Sequence, residues 1–89
     1  MGTNQLMTFE SLDGRTLAAR RAHSLVGAIR DDLGGDLTIA QRQLAQHAAI
    51  LGAMIEDQAT RWLTGEAIDQ ANYTLLINAQ RRCLAALSE

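Results

Sequence analysis

The chain has 89 residues, of which 47% are hydrophobic and only 3% aromatic, and it carries a net charge of −2. A chain of this length forms one domain and buries only about 60–65% of its unfolded surface, so a lone monomer is marginally stable. The net charge gives no overall attraction for nucleic acid, and the single cysteine excludes an internal disulfide. No apolar run approaches the roughly 20 residues of a membrane span, so we expect a cytoplasmic protein without membrane contact.

The N-terminal part is predicted to be a tail followed by a helix. Residues 1–10 show no periodicity, and we expect a flexible tail there, with a single helical domain over residues 11–89. A first helix is predicted over about residues 13–33, capped by Ser11 or Asp13 and ended by the glycine pair at 34–35. Its apolar residues recur with the helical period at Ala18, Ala22, Leu25, Ile29 and Leu33.

The first helix has a lopsided charge distribution, with four arginines and no acid between Gly14 and Arg30. Arg20 and Arg30 fall opposite the apolar stripe, and Arg21 flanks it. Arginine suits phosphate contacts, and a patch free of acids favours them. The candidate DNA-binding residues are Arg15, Arg20, Arg21 and Arg30. The alternative is an ordinary solvated face.

The centre of the chain predicts one long helix over about residues 38–64. Thr38 and Gln41 match a capping box, and Gly65 suits the left-handed position that ends a helix. The helix carries a continuous apolar stripe: Leu44, Ala48, Leu51, Ile55, Ala59 and Trp62. A row of small residues that would let another helix come close runs beside it: Ala45, Gly52 and Ala59.

Residues 48–55 of this helix are apolar on every side, so Ile50 and Met54 point away from the main stripe. Few other elements exist to cover both sides, so we expect part of the cover to come from another copy. The predicted oligomer interface comprises Leu44, Ala48, Ile50, Leu51, Gly52, Met54 and Ile55. The alternative is that Ile50 and Met54 pack under the first helix of the same chain.

A third helix is predicted over about residues 69–87, with Asp69 as its N-cap and an apolar stripe that Gln80 interrupts. The short connection predicts that this helix returns antiparallel to the second, with Trp62 near Tyr73. The predicted fold class is all-α with three helices. The long central helix and the C-terminal helix form an antiparallel hairpin that oligomerises.

The chain carries no pattern of catalytic or metal-binding residues. His23 and His47 share no helix face with a second ligand at a suitable spacing. Glycine-rich phosphate loops and nucleophile elbows are missing from the sequence. Asp57 is placed for an i,i+4 ion pair with Arg61 rather than for a carboxylate pair with Glu56. We therefore expect a protein that is not an enzyme, with no catalytic residues, no cofactor and no metal.

Several fragments together resemble a known family: DGRT…ARR, DLGGDLTIAQRQL, AAIL…E…RWLTGEAID and Y…L…NAQRRCLAAL. The chain is similar, over about residues 12–87, to small terminase subunits, the short helical proteins encoded beside packaging genes in prophages and gene transfer agents. The resemblance implies that residues 38–87 form a hairpin that assembles into a ring. It also implies that this homo-oligomer hands DNA to the large terminase subunit, the ATPase and nuclease of the packaging motor.

The chain departs from this family in one respect that bears on DNA recognition. Many small terminases carry an N-terminal helix-turn-helix domain, whereas only one helix precedes the hairpin here. The resemblance therefore implies weak, nonspecific phosphate binding rather than sequence reading. The rival hypothesis is a helical oligomeric adaptor or regulatory protein that binds only protein partners.

Overall fold

The computed structural model describes residues 16–88, which form three α-helices: α1 (Leu17–Asp32), α2 (Ile39–Leu63) and α3 (Gln70–Leu87). This part of the chain contains no strand, so the prediction of an all-α, three-helix fold is confirmed. The predicted tail of residues 1–10 lies outside the described residues. The caps predicted at Ser11 and Asp13 lie outside them as well.

The first helix begins at Leu17, later than predicted, because Thr16 takes the N-cap position. The backbone of Thr16 is extended (φ −89°, ψ 154°), and its hydroxyl accepts a hydrogen bond from the Ala19 amide at 3.0 Å. An N-cap side chain satisfies one of the amides that the first turn leaves without a helical partner. Threonine is one of the preferred N-cap residues, as are the serine and aspartate considered from the sequence.

The other two helices begin where the sequence predicts. In the capping box of α2, the Gln41 amide donates to the Thr38 hydroxyl at 3.1 Å. The Thr38 amide donates in return to the Gln41 side chain at 2.9 Å. At the start of α3, the Asn72 amide donates to the Asp69 carboxylate at 3.1 Å. Both predicted caps are confirmed.

Helices α1 and α2 end in the same way, with a glycine of positive φ that reverses the chain: Gly34 (φ 98°) and Gly65 (φ 98°). The amide that follows each glycine donates back to a carbonyl of the last turn: Gly35 to Arg30 and Glu66 to Arg61, both at 2.9 Å. These bonds define Schellman motifs, which satisfy carbonyls that the helix end leaves open. The predicted glycine stops are confirmed.

Most of the buried residues among 16–88 are alanine. They are Ala22, Ala45, Ala48, Ala49, Gly52, Ala53, Leu76 and Leu87. Leu44, Leu51 and Ile55 of the predicted α2 stripe are only half-buried, and no large side chain of the described residues is fully buried. The core is therefore thin, with two leucines from α3 beside the alanines of α1 and α2. The described chain is correspondingly flat, with extents of 41 × 40 × 18 Å.

Gly52 of α2 makes a close contact with both α1 and α3. A Cβ atom placed on Gly52 would lie 2.8 Å from Gln80 Nε2 and 3.1 Å from Leu25 Cδ1. The Gln80 amide donates to the backbone carbonyl of Ala48 at 3.2 Å. The polar residue that interrupts the α3 stripe thus fills the space that the glycine leaves and gains a hydrogen bond there.

Candidate nucleic-acid interface and assembly surface

The four predicted DNA-binding arginines have different surroundings. Arg15 lies outside the described residues. Arg20 and Arg30 are exposed on α1, and the Asp31 carboxylate lies 3.7 Å from Arg30 Nε. Arg21 is instead joined to α2 by an ion pair. The structure therefore places Arg20, Arg21 and Arg30 on α1, each in different surroundings.

The ion pair between Arg21 and Glu56 is bidentate. Arg21 Nε donates to Glu56 Oε1 at 2.7 Å, and Arg21 Nη2 donates to Glu56 Oε2 at 2.9 Å. These hydrogen bonds are the main cause that lowers the pKa of the Glu56 carboxyl, while desolvation opposes them and the charge of Arg21 adds to them. The pKa of Arg21 is raised by the same pair. Arg21 would have to give up this carboxylate to contact a phosphate.

A basic groove lies between the C-terminal half of α1 and the N-terminal half of α2. Arg30 contributes to it from α1 and Arg42 from α2, with His23 and Gln46 beside them, and the cavity volume is about 200 Å³. Sequence analysis missed Arg42, because it stands on another helix. The glycine pair at 34–35 was the signal that could have revealed Arg42, because a chain reversal there brings the start of α2 beside the end of α1.

The predicted oligomer interface is only partly accessible. Ala48 is fully buried, and Gly52 is enclosed by Leu25 and Gln80 of the same chain. Contacts within the protomer already cover these two residues, and their assignment to the interface stays a prediction. Ile50 and Met54 remain 38% and 44% exposed.

Ile50 and Met54 line a groove beside α1. Ala19 and Ala22 form part of its other wall, and the cavity volume is about 590 Å³. Helix α1 thus covers these two side chains only in part. The sequence offered two alternatives, cover by another copy and packing under α1, and the partial cover leaves room for both. The half-buried Leu44, Leu51 and Ile55, also predicted for the interface, stay a prediction.

A second apolar groove lies where α2 leads into α3. Trp62, Leu63, Ile68 and Tyr73 line it, with a cavity volume of about 400 Å³. Trp62 is 57% exposed and Leu63 is 75% exposed, although the sequence placed Trp62 on the buried stripe. Large apolar groups in this position are typical of interaction sites. Sequence analysis missed this groove because periodicity shows which face a residue occupies, not how far its neighbours extend.

Comparison of the chain with protein-family models, curated proteins and solved structures finds no significant match. The resemblance to small terminase subunits therefore stays a prediction. Within residues 16–88, no group of His, Cys, Asp or Glu is arranged to hold a metal ion. No described helix combines the length and the apolar character needed to cross a membrane.

Proposed function

We propose that this chain is a non-enzymatic subunit of a viral or gene-transfer-agent DNA-packaging motor, similar to small terminase subunits. In this proposal α2 and α3 form an antiparallel hairpin through which copies assemble. The homo-oligomer works in the cytoplasm, engages the large terminase subunit and binds DNA weakly and without sequence preference. The observation that carries the proposal is a thin core of small residues beside large apolar side chains that remain exposed.

Contacts between α2 and α3 support the hairpin. Gln80 reaches Ala48 near the middle of both helices, while Trp62 and Tyr73 line one groove beside the connecting turn. Residues beside the turn on α2 therefore lie near residues beside it on α3, and mid-helix residues meet mid-helix residues. This pairing is expected of antiparallel neighbours joined by a short loop.

The exposed apolar side chains support assembly. Among residues 16–88, ten large ones are exposed: Leu17, Leu33, Ile39, Ile50, Met54, Trp62, Leu63, Leu75, Ile77 and Leu84. Burial of apolar surface contributes roughly 25 cal/mol per Å². Contacts with other copies would supply stabilisation that the alanine-lined seams within one protomer do not.

Assembly can be tested by light scattering on the full chain. We expect a species larger than the 9.7 kDa protomer at micromolar concentration. Replacing Ile50 and Met54 with Glu should dissociate it, because a charge would enter the shared apolar surface. Gln43→Glu, which adds one negative charge at an exposed polar position of α2 and keeps both apolar side chains, serves as the control for each single substitution. A wild-type monomer would remove the assembly half of the proposal.

The exposed arginines of α1 support weak DNA binding, since phosphate contacts need no sequence information. DNA retention that falls steeply with rising salt is the expected result. Retention should weaken about equally for every sequence when Arg20 and Arg30 are changed to Ala. Assembly should survive these changes, because the hairpin is assigned that role.

The second candidate function is the helical adaptor or regulator that binds only protein. The observation that favours it is the Arg21–Glu56 pair, which neutralises one of the predicted DNA contacts. Asp31 beside Arg30 acts in the same direction. An oligomer that shows no DNA retention at low salt would select this function over the first.

A further inference from the structure

Two arginines from different helices, Arg30 of α1 and Arg42 of α2, line one groove together with His23 and Gln46. Within residues 16–88, the lining of this groove includes no carboxylate. Guanidinium groups present several donors in a fixed plane that matches the oxygens of a phosphate. A small concave site with an arginine from each of two helices differs from a solvated row of charges on one helix.

We propose that this groove binds a phosphate group, with Arg30 and Arg42 as its principal ligands. The inference deepens the proposed function and rests on it where the phosphate is taken to belong to the DNA backbone. It also changes the assignment drawn from the sequence. The contact site spans α1 and α2, includes Arg42, and excludes Arg21.

The contacts of the two helices distinguish Arg30 from Arg21. The Arg21 guanidinium is held by both oxygens of Glu56, the shorter bond being 2.7 Å. Arg30 Nε lies 3.7 Å from the neighbouring carboxylate of Asp31, and the two side chains are 54% and 76% exposed. An exposed pair of this kind contributes little. A phosphate can therefore compete for Arg30 at low cost.

The backbone fixes the two walls of the groove. The Schellman motif places Gly35 against the Arg30 carbonyl, with an N···O distance of 2.9 Å. The capping box at Thr38 then sets the start of α2, one turn before Arg42. Because both ends are held by local hydrogen bonds, the backbone needs little ordering when a ligand arrives, and the ordering cost falls on the two arginine side chains.

The acids of the turn set an upper limit on the affinity. Three exposed acids, Asp31, Asp32 and Asp36, are sequence neighbours of residues that line the groove. Their charges oppose an incoming anion over distances up to about a Debye length, roughly 8–10 Å at physiological salt. The site is accordingly one for weak contacts, which become effective when several copies in an oligomer present them together.

The test compares Arg30→Gln and Arg42→Gln with Arg82→Gln, which removes the same charge from an exposed position on α3. The first arm measures duplex DNA binding by fluorescence anisotropy across salt concentrations. Each groove substitution should lower the slope of log affinity against log salt by about 0.9, whereas the control should leave it unchanged. Arg42→Lys, which keeps the charge without the planar fork, should retain part of the binding.

The second arm titrates inorganic pyrophosphate into the full chain and follows backbone amides by NMR. Resonance shifts at Gly35 that Arg42→Gln abolishes support the site, even if the wild type fails to bind DNA and the proposed function falls. DNA binding that depends on Arg20 but not on Arg42 would overturn the inference and leave the proposed function standing. An equal effect of Arg82→Gln in both arms, or no shift at Gly35 with pyrophosphate, would also overturn it.

Discussion

The two sides of α2 are held to their neighbours by different chemistry. Toward α3, a glycine admits a side-chain amide, and Gln80 bonds to the carbonyl of Ala48 in a part-buried position. Toward α1, Arg21 and Glu56 form a bidentate pair whose side chains are 46% and 48% exposed. The first contact depends on shape, because any added atom displaces the amide. The second depends on charge, and water screens it.

The largest effect is expected from Gly52→Leu, which would break the α2–α3 contact. The first added atom would lie 2.8 Å from Gln80 Nε2 and 3.1 Å from Leu25 Cδ1, so both side chains must move and the Gln80 hydrogen bond to Ala48 is displaced. Overpacking of this kind costs about 1–3 kcal/mol. Urea unfolding at fixed protein concentration measures the loss.

A control is available on α1. At Gly27 the nearest atom to an added Cβ is Arg30 Nη2 at 3.9 Å, so Gly27→Ala meets no obstacle. It should raise stability by about 0.5–1 kcal/mol through helix propensity alone. An unfolding midpoint unchanged by Gly52→Leu would show that the contact is looser than its distances indicate.

A smaller effect is expected from Gln80→Ala. Loss of its hydrogen bond to the Ala48 carbonyl should lower stability by about 0.5–1.5 kcal/mol. The sharper result is the coupling with Gly52→Ala. Truncation of Gln80 removes the nearest obstacle to the new methyl group, so Gly52→Ala should cost less in the Gln80→Ala background than in the wild type. Additive effects in the double-mutant cycle would contradict the close contact between the two residues.

The smallest effect is expected from Glu56→Gln, and it should depend on pH. Because Arg21 lowers the pKa of Glu56 below its ordinary 4.5, the folded state binds this proton more weakly than the unfolded state. The pair therefore stabilises the fold at neutral pH, and its contribution is lost as pH falls through the lowered pKa. The difference in Tm between wild type and Glu56→Gln should be small, because the pair is half exposed, and should vanish in acid.

Asp57→Asn is the control for this measurement. It breaks a pair within α2, where Arg61 Nε donates to Asp57 Oδ2 at 2.9 Å. Since that pair joins two residues of one helix, its loss should not loosen the contact between α1 and α2. A Tm difference for Glu56→Gln that persists unchanged in acid would rule out the ion pair as its cause.

Features set by residues close in sequence were predictable. The capping box at Thr38, the cap at Asp69 and the ion pair between Asp57 and Arg61 each involve residues three or four positions apart, and all are confirmed. Their partners lie within one helical turn, so side-chain type and spacing suffice. The start of α1 was the exception, because three residues close together in sequence could each cap it and Thr16 does so.

Features that depend on how one helix is aligned against another were not predictable. Periodicity gave Gln80 as an interruption and Gly52 as a small residue but could not place one over the other. The same limit hid the partnership of Arg21 with Glu56, which are 35 positions apart. For the same reason Arg42 was left out of the candidate site. The arginine patch was predicted from α1 alone, whereas Arg42 belongs to α2.

The main helix contacts, α1 with α2 and α2 with α3, join elements that are adjacent in sequence. Each contact closes over a short connection, so its formation requires little loop ordering. Chains dominated by such local contacts fold in microseconds to milliseconds. A protomer of this design would reach its folded shape before it meets another copy, so the rate of assembly would be set by the encounter of finished subunits rather than by folding.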